Sequence, residues 1–303
     1  MGLENSIVVA VDGSDTAYEA VRWAAGEAGK RDKALHIAAC FVAPDTSVPT
    51  FKISRFPRAA LRNVVATLQQ ETDKTARVAH QIATQTTPDI AIAQTVKEGN
   101  PIEVLLEMSK TATMLVMGTR GLGRMSGIAL GSVSTAVVNH AHCPVVAIRK
   151  DTATRGFSDS APVVVGIDGS ASSAHTAAMA FKEADARGAR LIAVNTWVDS
   201  QIYSSFAALQ AAEKYAQEMQ QQQEALLAEC LADLERHYPN VATSKVTSRD
   251  HPVNALIGQA AEAQLLVVGS HGRGGFMGMA IGSTASSLLR KTPCPLMVVR
   301  PQE

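Results

Sequence analysis

The feature that most constrains this chain is an internal duplication. IVVAVDGSDTAYEAVRWAAGEA, starting at Ile7, aligns with VVVGIDGSASSAHTAAMAFKEA, starting at Val163. MLVMGTRGLGRMSGIALGSVS from Met114 aligns with LLVVGSHGRGGFMGMAIGSTA from Leu265, and HCPVVAIR from His142 aligns with PCPLMVVR from Pro293. The first block recurs after 156 residues and the other two after 151, so about five residues of net length change lie between them. Solenoid repeats have periods of roughly 20–50 residues and bury a core only by stacking on neighbours. A period this long instead calls for two domains, each with its own core. The stretch 151–161, DTATRGFSDSA, is polar, rich in small residues and without apolar periodicity. It is the expected linker between domains at 1–150 and 162–303.

Within the first copy, a β-branched run at 7–11 leads into Asp12-Gly13-Ser14. Ser14 or Asp15 can cap a helix reaching about Lys30, with Ala17, Ala20, Val21, Ala24 and Ala25 as its apolar residues. A strand is expected at 35–42, a loop with three prolines at 44–57, a helix at 58–83 and a strand at 90–96. Gly99-Asn100-Pro101 opens another helix, with the proline in its first turn. A strand at 114–117, a glycine-rich loop, a helix at 132–140 and a strand at 145–148 complete the copy. The second copy repeats this order with a long helix at about 205–237. There Leu226, Leu227, Leu231 and Leu234 recur at helical spacing, so the glutamine run belongs to a surface helix.

This alternation predicts an α/β fold, with an open parallel sheet in each copy and helices on both faces. Ligands of such sheets bind beyond the carboxyl ends of the strands, where the strand order reverses. Asp12-Gly13-Ser14 follows the first strand and the glycine loop follows the fourth. If the reversal falls between those strands, both features face one crevice. The apolar final strands are expected at sheet edges, which commonly acquire a cover or a partner.

Charge and composition narrow the function. The 28 basic and 28 acidic side chains balance, and no basic stripe with interleaved aromatics appears, so no nucleic-acid partner is expected. The first residues lack a signal-peptide pattern, and no apolar run is long enough to span a bilayer. The four cysteines show neither CxxC nor zinc spacing. A cytoplasmic protein is the expectation.

The glycine loop reads Gly118-Thr119-Arg120-Gly121, nine residues, then Gly131-Ser132. Its counterpart is Gly269-Ser270-His271-Gly272, nine residues, then Gly282-Ser283, and Gly123 matches Gly274. Glycines leave backbone N–H groups uncovered for a phosphate, and the helix N-terminus after the last glycine favours an anion. The loop is not a P-loop, since no lysine follows its glycines. It is not the dinucleotide fingerprint either: the third glycine is missing, and the loop follows the fourth strand.

G-x2-G-x9-G-[ST] after a strand ending in glycine, with V-x-[VI]-D-G-S at the start of each copy, resembles the nucleotide-binding branch of the universal stress protein family. The likeness covers both copies and is greatest to the tandem-domain members of actinobacteria. It implies the adenine nucleotide alpha hydrolase-like fold, with strand order 3-2-1-4-5 and one ATP per domain, alone or with Mg²⁺. By position it places Asp12, Gly13, Ser14, Phe41, Val42, Gly99 and Met117 around the first nucleotide. Gly118, Thr119, Arg120, Gly121, Gly123, Arg124, Gly131, Ser132, Val133 and Ser134 complete that site. The second set is Asp168, Gly169, Ser170, Trp197, Val198, Val268, Gly269, Ser270, His271, Gly272, Arg273, Gly274, Gly282, Ser283 and Thr284. Phe41, Val42, Trp197 and Val198 would border the adenine, and the glycine loops would hold ribose and phosphates. A homodimer and a regulatory protein partner are also expected. Arg120 against His271, and Gly99-Asn100-Pro101 against Asp250-His251-Pro252, make the two sites similar without being equivalent.

Plainer readings stand beside these. Asp12 and Asp168 also suit turn or capping roles. His140 and His142 suit a solvated helix end better than a metal site, and Cys143 and Cys294 suit packing. No nucleophile elbow or kinase catalytic loop accompanies the nucleotide motif, and no base for activating water is evident. A nucleotide-dependent regulator of stress or growth arrest is therefore expected. The alternative is a slow ATPase or an enzyme acting on an adenylated substrate.

Overall fold

The computed structural model describes residues 4–44, 58–119, 121, 131–150, 152, 160–170, 172–198, 206–272 and 281–301, with backbone alone at 58–60 and 206–212. The chain divides into two compact units, Met1–Ala153 and Thr154–Glu303. Most of the proline-containing loop at 44–57, and most of the expected linker, lie outside the described residues.

The first unit runs β1 (Ile7–Val11), α1 (Asp15–Lys30), β2 (Leu35–Phe41), α2 (Arg58–Thr86), β3 (Ile92–Glu98), α3 (Pro101–Ser109), β4 (Met114–Gly118), α4 (Ser132–His140) and β5 (Val145–Ile148). The second runs β6 (Val163–Gly166), α5 (Ser173–Arg187), β7 (Leu191–Trp197), α6 (Phe206–His237), β8 (Thr243–Arg249), α7 (Pro252–Ala260), β9 (Leu265–Gly269), α8 (Ser283–Lys291) and β10 (Leu296–Val299). Strands pair in parallel in the order β3-β2-β1-β4-β5 in the first unit. The second unit has the order β8-β7-β6-β9-β10, again parallel. This is the α/β architecture expected from the alternation of elements.

Burial explains which strands lie inside. β1 and β4, IVVAV and MLVMG, are apolar throughout and almost wholly buried, as strands covered on both faces must be. β3 exposes Gln94, Lys97 and Glu98 and ends the sheet, where charges discourage further pairing. Right-handed crossovers then place the helices. The chain moves outward from β1 to β3 and returns across to β4 and β5, so α1 and α2 cover one face and α3 and α4 the other. In keeping with this, α1 packs on α2 and α3 on α4.

Element bounds differ from expectation mainly around β3. α2 continues to Thr86, close to Pro88, and β3 starts at Ile92, opposite Leu35. β2 stops at Phe41, which pairs with Glu98, leaving Val42 beyond the ladder. Each first helix also holds a buried ion pair: Arg31 Nε to Glu27 Oε1 at 2.8 Å in α1, and Arg187 to Glu183 Oε2 at 2.5 Å in α5.

Candidate functional site

In each unit the strand order reverses between the first and fourth strands, so their carboxyl ends open a crevice. The turn after the first strand is built by glycine: φ is +88° at Gly13 and +73° at Gly169, a region that side chains disfavour. The aspartate before it is held by its own turn. Asp12 Oδ1 accepts the Ser14 N–H at 3.0 Å and the Ser14 hydroxyl at 2.6 Å. Asp168 Oδ1 accepts the Ser170 N–H at 3.0 Å, but its hydroxyl donor is Ser173, at 2.6 Å. The other oxygen, Oδ2, faces the glycine loop. A Cβ on Gly121 would lie 2.3 Å from Asp12 Oδ2, and one on Gly272 would lie 2.4 Å from Asp168 Oδ2.

The ends of each loop are clasped. Gly131 N–H donates to Thr119 O at 3.0 Å, and Gly282 N–H donates to Ser270 O at 2.8 Å. Thr119 and Ser270 are themselves tied to the last strand, donating to Ile148 O and Val299 O at 2.8 Å each. Ser134 Oγ donates to Gly118 O at 2.9 Å, joining α4 to the end of β4. Gly118 must lack a side chain, because a Cβ there would meet Thr16 Oγ1 at 2.8 Å and the Thr16 carbonyl carbon at 2.9 Å.

The helix starts that follow the glycine loops offer N–H donors to an anion. Ser14 caps α1 itself, accepting the Ala17 N–H at 3.3 Å. α4 and α8 start after Gly131 and Gly282, which offer no capping side chain. Their first-turn N–H groups thus suit a ligand phosphate.

In the second unit these parts enclose a cavity of about 630 Å³, within the ~300–1,000 Å³ range of small-molecule sites. On the β7 side it is lined by Val194, Thr196, Trp197 and Val198, with Ile167 and Asp168 in the middle. On the β9 side it is lined by Val268, Gly269, Ser270, His271 and Gly272, then Gly282, Ser283, Thr284 and Ser286 of the α8 start. An apolar wall, a central carboxylate and a backbone-rich anion end therefore follow one another across the strand order. His271 Nδ1 lies 3.0 Å from Ser270 Oγ, and the His271 carbonyl accepts from Ser172 Oγ at 3.3 Å.

Most residues expected at the sites gather here. Gly169 and Ser170 shape the turn without lining the cavity. In the first unit Phe41 is buried, Val42 is exposed and Met117 is buried in β4. Gly99, at φ +147°, donates its N–H to Phe41 O at 2.9 Å. Gly131, Ser132 and Val133 stand at the start of α4. Arg120, Gly123, Arg124, Arg273 and Gly274 lie outside the described residues. Sequence reasoning missed Gly166, Ile167, Ser172, Ser173, Thr176, Val194, Thr196, Pro252, Leu256, Ile281, Ala285 and Ser286 as lining residues. Ser173 stood in plain view in DGSASS, but only its contact with Asp168 distinguishes it from the neighbouring serines.

Among the described residues, no group of three or more His, Cys, Asp or Glu could hold a metal ion, and no helix is long and apolar enough to cross a membrane. The universal stress protein family profile matches residues 5–149 and again 161–300. A universal stress protein of Mycobacterium tuberculosis is 38% identical over 306 residues, covering 98% of this chain and 96% of that one. One from Mycolicibacterium smegmatis is 33% identical over 309 residues, covering 99% and 98%. A crystal structure of a universal stress protein from Archaeoglobus fulgidus matches with a TM-score of 0.63 at 19% identity, covering 99% of this chain and 98% of that one. With the same profile matched in both halves and such relatives along its whole length, this chain belongs to the universal stress protein family as a tandem-domain member.

Proposed function

We propose that each unit binds one ATP in the crevice between its first and fourth strands, and that the protein is a nucleotide-dependent regulator of stress or growth arrest. The observation that carries this reading is the contact of Asp12 Oδ2 with Gly121, repeated by Asp168 Oδ2 with Gly272. In both units a carboxylate and a loop glycine converge at the switch point.

The chemistry orders the ligand. A carboxylate accepts hydrogen bonds from ribose hydroxyls and repels phosphates, so it suits the middle of a nucleotide. The phosphates then belong at Gly131-Ser132 or Gly282-Ser283, where helix starts supply N–H donors. The base belongs on the opposite side, against Phe41 and Val42 or Trp197 and Val198. Mg²⁺, where present, would come as the counter-ion of the triphosphate. Among the described residues none is placed as a base toward an attacking water, and the reading we favour is retention of the nucleotide with a change of conformation or partner.

Mass spectrometry of nucleotide released from the purified protein tests this. The expected result is two adenine nucleotides per chain, one after either Gly121→Leu or Gly272→Leu, and none after both. Each leucine would push its Cβ into the aspartate carboxylate. If each single variant releases as much nucleotide as the parent, the site assignment is wrong.

A further inference from the structure

The two units differ where their second strand ends. In the second unit, Trp197 lines the cavity and is only 8% exposed. Its indole N–H donates to Gln220 Oε1 of α6 at 3.2 Å. Gln220 is anchored in turn, donating from Nε2 to Glu224 Oε1 at 2.7 Å and to Thr247 O of β8 at 3.4 Å. Arg249, the strand partner of Trp197, lies over the ring with its Cζ 5.6 Å from the centroid. Side chains from α6 and β8 thus fix the orientation of an aromatic side chain on β7.

Among the described residues, the first unit has no such arrangement at the same register. Its strand pair is Phe41 with Glu98. A phenyl ring has no N–H to donate, and its negative face repels a carboxylate. Both crevices share the aspartate facing a loop glycine and the glycine before the fourth helix, so this corner is one place where the units diverge.

We propose that Gln220 and Arg249 are positioning residues that hold Trp197 as a preformed platform for the base and so set how sharply the second unit selects a nucleotide. The proposal rests on the nucleotide reading of the crevice. An aromatic ring already immobilised loses little conformational entropy when a ligand stacks on it. Arg249 occupies one face, so a base in the cavity meets the remaining face or the edge. Val198, 61% exposed beside Trp197, supplies apolar rim that a base would cover. The second unit therefore distinguishes a nucleotide from a bare polyphosphate more sharply than the first.

The chain has two tryptophans, so Trp23→Phe leaves Trp197 as the only indole. In that background, with Gly121→Leu closing the first crevice, Trp197 emission is titrated with ATP and, separately, with inorganic tripolyphosphate. Equilibrium dialysis with labelled ATP gives occupancy independently of the fluorophore. ATP is expected to quench the emission and to bind more tightly than tripolyphosphate. Arg249→Glu and Gln220→Ala weaken ATP by roughly two- to fivefold, the scale of a lost cation–π or hydrogen-bond contact. Tripolyphosphate binding is expected to fall less than ATP binding in both, and far-ultraviolet circular dichroism checks that the variants fold. Arg249→Lys, which keeps a cation, restores ATP binding. Trp197→Ala, read by dialysis, loses about tenfold, and Trp197→Phe, the residue type of the first unit, loses less.

If Arg249→Glu and both Trp197 variants keep the ratio of ATP to tripolyphosphate affinity of a parent that binds ATP, the platform is overturned and the nucleotide reading stands. If the parent binds no ATP in this unit, both are overturned.

Discussion

At the scale of single residues, the site depends on what two aspartates do with two oxygens. One oxygen holds the turn, and the other faces a glycine across the crevice. The Asp-Gly-Ser motif was legible because a turn at positive φ needs glycine. Which hydroxyl satisfies the aspartate was not legible: Ser14 does so two residues on, and Ser173 does so five residues on. Rotamers set by packing decide that, and no motif encodes them. His36 shows the same limit. It stands in β2, 7% exposed, where the second copy has Ile192, and its Nε2 lies 2.9 Å from Thr95 Oγ1. Burial holds its pKa below the ordinary 6.5. Between the lowered folded value and 6.5 the unfolded chain binds a proton that the folded chain does not, so stability falls as pH drops through that window. Urea unfolding at pH 7.5 and pH 5 is expected to show a smaller acid loss for His36→Ile than for the parent.

At the scale of elements, the ends of helices carry the distinctions. The first helices stop in the same way on different residues. α5 stops at Gly188, left-handed at φ +58°, and α1 stops at its counterpart Asp32, left-handed at φ +50°; Ala189 N–H returns to Ala184 O and Lys33 N–H to Ala28 O, at 2.9 Å each. Nothing lies within 4 Å of where a Gly188 Cβ would sit. Gly188→Ala therefore isolates backbone strain and should cost about 1 kcal/mol, with Gly188→Asn costing less. Chemical denaturation of the three proteins measures the difference. At α3, Asn100 accepts the Ile102 N–H at 3.0 Å and Pro101 takes the first turn, so that helix start was readable from three letters. β3 was placed two residues early, because its bounds follow from pairing with β2, which local propensity does not contain.

At the scale of the whole molecule, duplication gives each unit the same buried thiol ahead of its last strand. Burial pushes both Cys143 and Cys294 up to about 12 from an ordinary 9.0. At neutral pH they stay protonated, so mild alkylation should label neither in the folded chain and both once it is unfolded, as peptide mass spectrometry would show. Unfolded thiols ionise near 9.0 and folded ones near 12, so the unfolded state sheds protons first and stability should fall as pH rises across that interval. The sequence by itself determined that there are two units, the order of their elements, the glycines that keep each loop bare and the aspartate that precedes each turn. These follow from spacing, periodicity and backbone freedom, all local properties. Only the tertiary structure decided that the ends of β1 and β4, and of β6 and β9, adjoin closely enough for a carboxylate to face the loop. Only it decided that Gln220 and Arg249 meet at Trp197, because those contacts join residues from separate elements whose register is set by packing of the whole sheet.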